Sequence, residues 1–408
     1  MLTHRQLFLK HNAQTSDSPL LMEFDRAKGM YMYDTEGKAY MDLISGIGVS
    51  NLGHCHENVV AAIQKQAETY IHLMVYGEYV QSPQVKFAER LASVLPDSLN
   101  CTYFVNSGAE ATEGALKLAK RFTGRSEIIS CHNAYHGSTH GALSVMGNEY
   151  FKQAYRPLLP NIRFIRYNNE RDLETISAST ACVIIETIQG EAGVRVPSKQ
   201  YLHKLRERCN ETGTLLILDE VQTGFGRTGT LFAFEQFGII PDILLLAKGM
   251  AGGMPLGAFI ASGDIMSVLT KNPVLGHITT FGGNPVCCAA GLATLETILD
   301  QNLMEGIERK EKLFRKLLVH DAIRSVRGKG LLLAVQLSDY TLNKQIIDRC
   351  IENGIITDWF LHCDNAMRIA PPLIISDNEI EKACVIIIES INYVYKVVAD
   401  PVYKSISL

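Results

Sequence analysis

The sequence predicts an α/β protein with a mostly parallel central sheet whose strands are buried on both faces. Two short apolar runs, 215–218 and 243–247, are bounded by turn residues and show no alternation of polar and apolar positions. The first run leads into Asp219 and the second into Lys248. Both residues are therefore expected at the carboxyl ends of strands, where open α/β sheets bind their ligands.

The remaining elements follow from periodicity and turn residues. Alternation predicts a strand at 29–34, followed by a turn at Glu36 and Gly37, and apolar runs predict further buried strands. The C-terminal part has the pattern of a smaller α+β lobe with a strand start at 328–333. The other predicted strands are 102–105, 127–130 and 181–185, and the predicted helices are 58–70, 84–94, 286–303 and 344–354.

Composition bounds the class of protein. A chain of 408 residues is long enough for a large domain and a smaller one, and 47% hydrophobic with 20% charged residues is an ordinary globular composition. A net charge of -4 without a basic block argues against a nucleic-acid partner. No apolar run reaches the ~20 residues needed to cross a bilayer, and there is no signal-peptide core. We therefore expect a cytoplasmic protein with no membrane partner.

Cysteines and histidines give no indication of a disulfide or a metal site. The ten cysteines have no paired spacing, so they are expected to be free, small and buried. His54 and His56 have no third ligand nearby and predict a turn before a helix. His132, His136 and His140 are spaced by four, but glycines between them weaken a helix there. No metal is expected.

A strand followed by Ser107 and Gly108 predicts an anion site. Ser107 and Glu110 have the spacing of a capping box, which opens a helix through Ala115 and Leu118. The free N–H groups of a helix N-terminus attract an anion such as a phosphate. Many helices begin in this way with nothing bound.

Lys248 follows a buried strand and is surrounded by Gly249, Gly252 and Gly253, which is unusual for a solvated surface charge. A lysine with a lowered pKa forms a Schiff base with a carbonyl, the way in which pyridoxal phosphate is carried. Asp219 is the candidate anionic partner for the pyridinium nitrogen of that cofactor. A strand-end cap or a salt bridge explains each residue equally well when it is taken alone.

The longer motif around these residues resembles that of the class III aminotransferases. Asp219 to Gly224 reads DEVQTG, Gly226 to Gly229 reads GRTG, and Pro241-Asp242 precedes Ala247-Lys248-Gly249. The similarity extends from about Met41 to about Pro372. These enzymes use pyridoxal 5'-phosphate and have the aspartate aminotransferase-like fold type I. The resemblance implies a large domain and a smaller α+β domain formed by both termini, divided as 1–49, 50–295 and 296–408.

The resemblance also implies roles for individual residues. Lys248 carries the cofactor and moves the substrate proton, and Asp219 keeps the ring nitrogen protonated. Glu186 faces the active site. Thr279 and Thr280 reach the cofactor phosphate of a neighbouring subunit, which implies a homodimer with shared sites. The remaining cofactor contacts are Ser107, Gly108 and Ala109 at the phosphate, Tyr135 stacked on the ring with His136 beside it, and Gln222 near the phenolic oxygen.

The residues expected to bind the substrate differ most from the pattern of the class III aminotransferases. Glu191 is expected to pair with Arg368, the arginine that binds a substrate carboxylate. Ser138 replaces an arginine that holds a distal carboxylate in many relatives, and Ile47 replaces a tyrosine of ornithine aminotransferases. Loss of such a charge-assisted contact costs ~1.5 to 3 kcal/mol, so glutamate and 2-oxoglutarate are expected to be poorer partners than usual unless Arg156 or Arg163 substitutes.

The expected reaction moves an amino group from an amino-acid or amine donor to a 2-oxo acid. The ω-amino group of an ornithine- or acetylornithine-like donor and 2-oxoglutarate are the first expectation. An ω-amine or alanine/pyruvate-type aminotransferase is an alternative, as is an aminomutase or racemase that needs no 2-oxo acid. The sequence lacks a Gly-x-Gly-x-x-Gly fingerprint after its first strand, which argues against a nucleotide-binding oxidoreductase. The presence of Lys248 argues against a non-catalytic scaffold.

Overall fold

Three sheets organise residues 2–399, the part of the chain that the structure, a computed structural model, describes. The N-terminal part begins with an exposed helix that has no buried residue. An antiparallel sheet of short strands follows, and then a single helical turn in which Ile47 has a positive φ of 66°. These elements are α1 (His4–His11), β1 (Phe24–Lys28), β2 (Tyr31–Asp34), β3 (Ala39–Asp42) and α2 (Ser45–Gly48).

A seven-stranded sheet forms the centre of the molecule. Its strand order is β4-β10-β9-β8-β7-β5-β6, and β10 alone runs in the direction opposite to the other six strands. Its strands are β4 (Cys101–Val105), β5 (Glu127–Cys131), β6 (Ile162–Ile165), β7 (Thr180–Glu186), β8 (Leu215–Asp219), β9 (Ile243–Leu246) and β10 (Gly257–Ala261). The helices in this part are α3 (Glu57–Thr69), α4 (Ser82–Ala92), α5 (Gly108–Thr123), α6 (His140–Ser144), α7 (Lys199–Thr212), α8 (Gly263–Met266) and α9 (Pro285–Asp300).

Both faces of the central strands are buried, as the uninterrupted apolar runs predict. Leu216 and Leu218 of β8 belong to one hydrophobic cluster, while Leu215 and Ile217 belong to the cluster on the other face. Every residue of β7, β8 and β9 is buried. The parallel strands therefore end together at one carboxyl edge, which places their final polar residues side by side.

The C-terminal part builds a separate core together with the N-terminal sheet. Its elements are α10 (Ile307–Leu317), β11 (Ser325–Lys329), β12 (Leu332–Gln336), α11 (Tyr340–Glu352), β13 (Ile355–Ile356), β14 (Trp359–Phe360), β15 (Cys363–Ile369) and α12 (Asp377–Ala399). Strand β13 pairs in parallel with β3, so Ile355 lies opposite Met41. Met30, Met41 and Leu43 share a hydrophobic cluster with residues of α10, β12 and α12.

Some predicted elements need correction. The predicted strand start at 328–333 is wrong, because Gly328, Lys329 and Gly330 belong to the end of β11 and its turn into β12. Gly328 and Gly330 have positive φ angles of 137° and 61°, which glycine adopts at low cost. Helix α9 runs across the predicted boundary at 295/296. The division into 1–49, 50–295 and 296–408 stays a prediction.

The cysteines and helices add two further observations. All ten cysteines are free, but Cys55 is exposed and Cys101 and Cys363 are only partly buried, so the expectation that every cysteine is buried is wrong at these three positions. Residue 55 lies in the short loop before α3, with a φ of 51°. Among residues 2–399, none of the helices combines the length and the apolar character that crossing a bilayer requires.

Candidate active site

The carboxyl ends of β7, β8 and β9 enclose a cavity of about 540 Å³. Glu186 and Asp219 end β7 and β8 and are direct register partners. Lys248 lies two residues beyond the end of β9, in a helical turn with a positive φ of 48°. A non-glycine residue in this region is strained, and such strain concentrates at functional sites. All three side chains line the cavity.

Asp219 is held by a buried histidine and by its own loop. Its Oδ2 atom lies 2.7 Å from His136 Nδ1, and its Oδ1 atom accepts a hydrogen bond from the Val221 backbone at 2.9 Å. The Nε2 atom of His136 is buried and has no hydrogen-bond partner among the described residues. The histidine therefore fixes the carboxylate from behind and retains one unused polar atom in the site.

Glu186 differs from Asp219 although the two lie side by side. It is buried and accepts hydrogen bonds from the backbone N–H groups of Gly190 at 3.0 Å and Tyr135 at 3.4 Å. Burial, followed by the charge of Asp219, raises the pKa of Glu186 well above its usual range. The protonated form of Glu186 is therefore favoured beside the Asp219 carboxylate.

The electrostatic surroundings of Lys248 favour its neutral amine. Burial lowers the pKa of Lys248, and Glu191 opposes that effect. A lysine with a lowered pKa has more of the unprotonated amine that attacks a carbonyl. The lysine environment predicted from the sequence is thus present in the fold.

The N-terminus of α5 forms another wall of the cavity. Ser107 Oγ accepts a hydrogen bond from the Glu110 backbone at 3.1 Å. The predicted capping box is incomplete, because the Glu110 carboxylate accepts from the Asn106 backbone instead of closing back on Ser107. Gly108 and Ala109 open the helix, so their N–H groups have no partner within it, and both residues line the cavity. A Cβ atom at Gly108 would lie 3.1 Å from both methyl groups of Val221.

Arg368 is clamped between two carboxylates. Its two terminal nitrogens each lie 3.0 Å from an oxygen of Glu191, and its Nε donates to Asp358 at 2.8 Å. Burial alone would raise the pKa of Glu191, but the Arg368 guanidinium outweighs it and lowers that pKa to about 2. Gln222 donates to Glu191 at 2.8 Å. Glu191 and Arg368 thus pair directly, and their role in binding substrate stays a prediction.

A second cavity of about 570 Å³ adjoins the first one. Lys248 and Tyr135 line both cavities. Arg368, Glu191 and Ile47 line the second cavity, whereas Ser138 lines the first, with its hydroxyl 3.3 Å from the Tyr135 hydroxyl. The residues predicted for substrate specificity are therefore divided between the two cavities.

Thr279 and Thr280 lie outside both of these cavities. The Thr279 hydroxyl accepts a hydrogen bond from the Asn106 side chain at 3.2 Å, and the Thr280 hydroxyl lies 3.5 Å from that of Tyr76. Thr279 lines a third cavity of about 280 Å³ that also contains Tyr76. Their predicted role in a neighbouring subunit stays a prediction.

Two histidines of the sequence motifs pair with aspartates, whereas the buried Nδ1 atom of His56 has no hydrogen-bond partner among the described residues. His54 Nε2 lies 2.8 Å from Asp42, and His136 is occupied with Asp219. Within residues 2–399, no three histidine, cysteine, aspartate or glutamate side chains are grouped as a metal ion would require.

Sequence reasoning missed several residues that line the two cavities, Val221 and Asp358 among them. Val221 lines the first cavity beside Gly108, and its place in the loop after β8 could have indicated this. Asp358 has no motif of its own and is found only through its bond to Arg368.

The fold and this strand edge define an α/β enzyme with a buried amine available for carbonyl chemistry. The family model described as Aminotransferase class-III matches residues 12–391. The chain belongs to this family, and it is a transaminase that depends on pyridoxal phosphate, as the sequence motif predicted.

Individual relatives agree with the family assignment. The acetylornithine aminotransferase of Methanopyrus kandleri is 42% identical over 359 residues, which cover 87% of this chain and 90% of the relative. That of Methanosarcina mazei is 42% identical over 368 residues, covering 89% of each chain. The solved ornithine aminotransferase of Toxoplasma gondii superimposes with a TM-score of 0.89 at 31% identity, covering 97% of this chain and 95% of that structure. The predicted fold type I is confirmed.

The residues present fit the cofactor of the family. The N–H groups of the first turn of α5 suit the phosphate of the cofactor. The amine of Lys248, whose pKa is lowered by burial, suits the carbonyl group of the cofactor. The carboxylate of Asp219 suits a protonated ring nitrogen, and the unpartnered Nε2 of His136 shows that the site is built for a further polar group.

Proposed function

We propose that this enzyme moves the ω-amino group of an ornithine- or acetylornithine-like donor to a 2-oxo acid such as 2-oxoglutarate. The observation that supports this most directly is the buried Lys248 beside the Glu186 and Asp219 pair. The similarity to acetylornithine aminotransferases over most of the chain supports the donor class.

The mechanism divides the work among residues of the first cavity. When bound, pyridoxal phosphate supplies an acceptor for the electrons released at the substrate carbon. Lys248 holds the cofactor through Nζ and later accepts and returns the proton at the substrate carbon. Asp219 holds a proton on the ring nitrogen, and His136 keeps that carboxylate in place. Burial, followed by the charge of Asp219, raises the pKa of Glu186 and so favours its protonated form beside that carboxylate.

Other residues bind and orient. The backbone N–H groups of Gly108 and Ala109, with the Ser107 hydroxyl, hold the phosphate. Tyr135 would stack on the ring of the cofactor. Gln222, which donates to Glu191, would lie near the phenolic oxygen of the ring.

Arg368 binds the carboxylate of the 2-oxo acid. Because Glu191 occupies both terminal nitrogens, that carboxylate has to displace it. Ile47 lines the second cavity and Ser138 lines the first, so the two residues limit the room for a substrate at different ends.

An ω-amine or alanine/pyruvate-type specificity is the second candidate. It is favoured by Ser138, which places a neutral hydroxyl bonded to Tyr135 where many relatives have an arginine. Such a pocket would select less strongly for 2-oxoglutarate.

The test is a visible absorption titration in which donors are added one at a time without a 2-oxo acid. We expect a cofactor band that disappears with ornithine or N-acetylornithine and returns with 2-oxoglutarate. Loss of the band with alanine or a simple ω-amine alone would support the second candidate. The Lys248→Ala variant should fold but lack a band that borohydride can fix to the protein. A fixable band in that variant would refute the assignment of Lys248.

We also propose that the enzyme is a cytoplasmic homodimer. Large apolar side chains are exposed around Thr279 and Thr280, among them Ile71, Val80 and Phe281, and Val80 is 93% exposed. Exposed large apolar side chains near one another are typical of an interface. Thr279 and Thr280 would then lie near the site of the second subunit.

Light scattering should give twice the 45.2 kDa chain mass for the wild type. Val80→Glu with Phe281→Glu should shift the protein toward monomer and weaken cofactor retention. Val319→Glu, at a site 74% exposed in the loop after α10, is the control and should stay dimeric. A monomeric wild type with full activity would contradict the proposal.

A further inference from the structure

The second cavity is bounded on one side by α11, which contributes an ion pair to its wall. Lys344 Nζ lies 2.5 and 2.6 Å from the two carboxylate oxygens of Asp348. Both side chains are partly exposed and line the cavity that also contains Lys248 and Arg368. An exposed pair one helical turn apart contributes little to stability, so its partners are available to a ligand at small cost.

Of the cations that line the two cavities, Lys344 is the one held only by a partly exposed carboxylate, so an incoming carboxylate can replace that partner at the smallest cost. Among the described residues that line them, the lysines and arginines are Lys248, Arg368 and Lys344. Lys248 is committed to the cofactor in the proposed function. Arg368 is enclosed by Glu191 and Asp358.

The wall between Lys248 and the ion pair suits an aliphatic chain. Apolar side chains of different segments line the same cavity, and Ile347 and Ile351 come from α11 itself. Ile47, Trp359 and Leu361 complete this apolar part. A donor with an amine at one end and a charged group at the other would place its methylene groups against this surface.

We propose that Lys344 and Asp348 recognise the free amino-acid head of the donor. Lys344 pairs with the α-carboxylate and Asp348 with the α-ammonium group, while the ω-amine reaches Lys248. The inference rests on the proposed function and narrows its donor to an α,ω-diamino acid with an unmodified head. An N-acetylated donor keeps the carboxylate but has no cation for Asp348.

The experiment follows loss of the cofactor band in the holoenzyme against the concentration of ornithine, N-acetylornithine or n-butylamine. For Lys344→Met, the half-saturating concentration of ornithine relative to that of n-butylamine should rise roughly tenfold to a hundredfold. For Asp348→Asn, the value for ornithine should rise roughly tenfold relative to that for N-acetylornithine. Lys312→Met removes the lysine of a comparable exposed pair with Glu308 on α10 and is the matched control.

Three results would overturn the inference. If Lys344→Met and Lys312→Met have the same half-saturating concentrations for every donor, Lys344 does not bind the donor carboxylate. Asp348→Asn could change ornithine and N-acetylornithine alike, which would refute recognition of a free α-amine. A wild type that keeps its cofactor band with all three donors would refute the proposed function, and the inference with it.

Discussion

At the scale of single residues, the site depends on buried charges that are paired with opposite charges. Glu191 and Arg368 are both almost fully buried, and each would be costly without the other. Asp358 adds a second carboxylate, and burial raises its pKa against the effect of Arg368. In the proposed function, a substrate carboxylate that binds Arg368 would have to replace a carboxylate that is already bound to it.

The pH dependence of stability should reveal the Glu191 contact. Its folded pKa of about 2 lies below the ordinary value of 4.5, so the unfolded chain binds more protons between these pH values. The stabilisation is present above pH 4.5 and is lost as the pH falls toward 2. Urea unfolding from pH 5.5 to 3 should show the wild type losing about 2 kcal/mol more than Glu191→Gln.

The exposed Glu305→Gln variant is the control for this measurement and should follow the wild type. Parallel losses in the wild type and Glu191→Gln would contradict a strongly lowered pKa at residue 191.

At the scale of elements, one helix N-terminus has both a structural and a binding task. Ser107 caps α5, and the same turn lines the cavity. Ser198 caps α7 in the same way, accepting from the Tyr201 backbone at 3.1 Å. It does not line either active-site cavity. The two serines therefore form a natural pair for separating capping from cofactor binding.

Ser107→Ala and Ser198→Ala should each lower the free energy of unfolding of the cofactor-free protein by about 1 kcal/mol. Only Ser107→Ala should also weaken the binding of pyridoxal phosphate, because its hydroxyl and its turn contact the phosphate in the proposed site. Chemical unfolding and a fluorescence titration with the cofactor measure the two effects. Equal cofactor affinity in both variants would remove Ser107 from the phosphate site.

At the scale of the whole molecule, Arg227 joins the large sheet to the C-terminal core. It is fully buried, and burial lowers its pKa to about 9. It donates to Asn51 Oδ1 at 2.5 Å, to the Leu331 carbonyl at 3.0 Å and to the Pro371 carbonyl. Three segments far apart in sequence thus meet on one guanidinium, close to the strand that carries Arg368.

Arg227→Met should lower the free energy of unfolding by about 3 kcal/mol or more, since it leaves buried acceptors on three segments without their donor. Denaturant unfolding of the cofactor-free protein measures this loss. The exposed Arg171→Met variant should change stability by less than about 0.5 kcal/mol. A small loss for Arg227→Met would mean that water or neighbouring donors replace the guanidinium.

Much of the fold could be predicted because its signals are local. The apolar runs before Asp219 and Lys248 locate β8 and β9 within one residue of their ends. Helix α11 begins four residues before the predicted position because Asp339, its N-cap, was not recognised as a start. The turn between β11 and β12 was missed because the segment from Gly328 to Leu333 was taken as the start of a single strand. The antiparallel pairing of β11 with β12, and of β12 with β15, shows that the segment contains a turn.

The sequence by itself determined the strands that present Asp219 and Lys248, the helix that opens at Ser107, and the family. These depend on residues near one another along the chain. The contact of Arg368 with Glu191, which is 177 residues away, was expected only through the family resemblance, and its geometry comes from the tertiary structure. Only the tertiary structure decided that Lys344 lines the same cavity. Such contacts depend on how separate elements pack, and no local periodicity encodes the distance between two remote side chains.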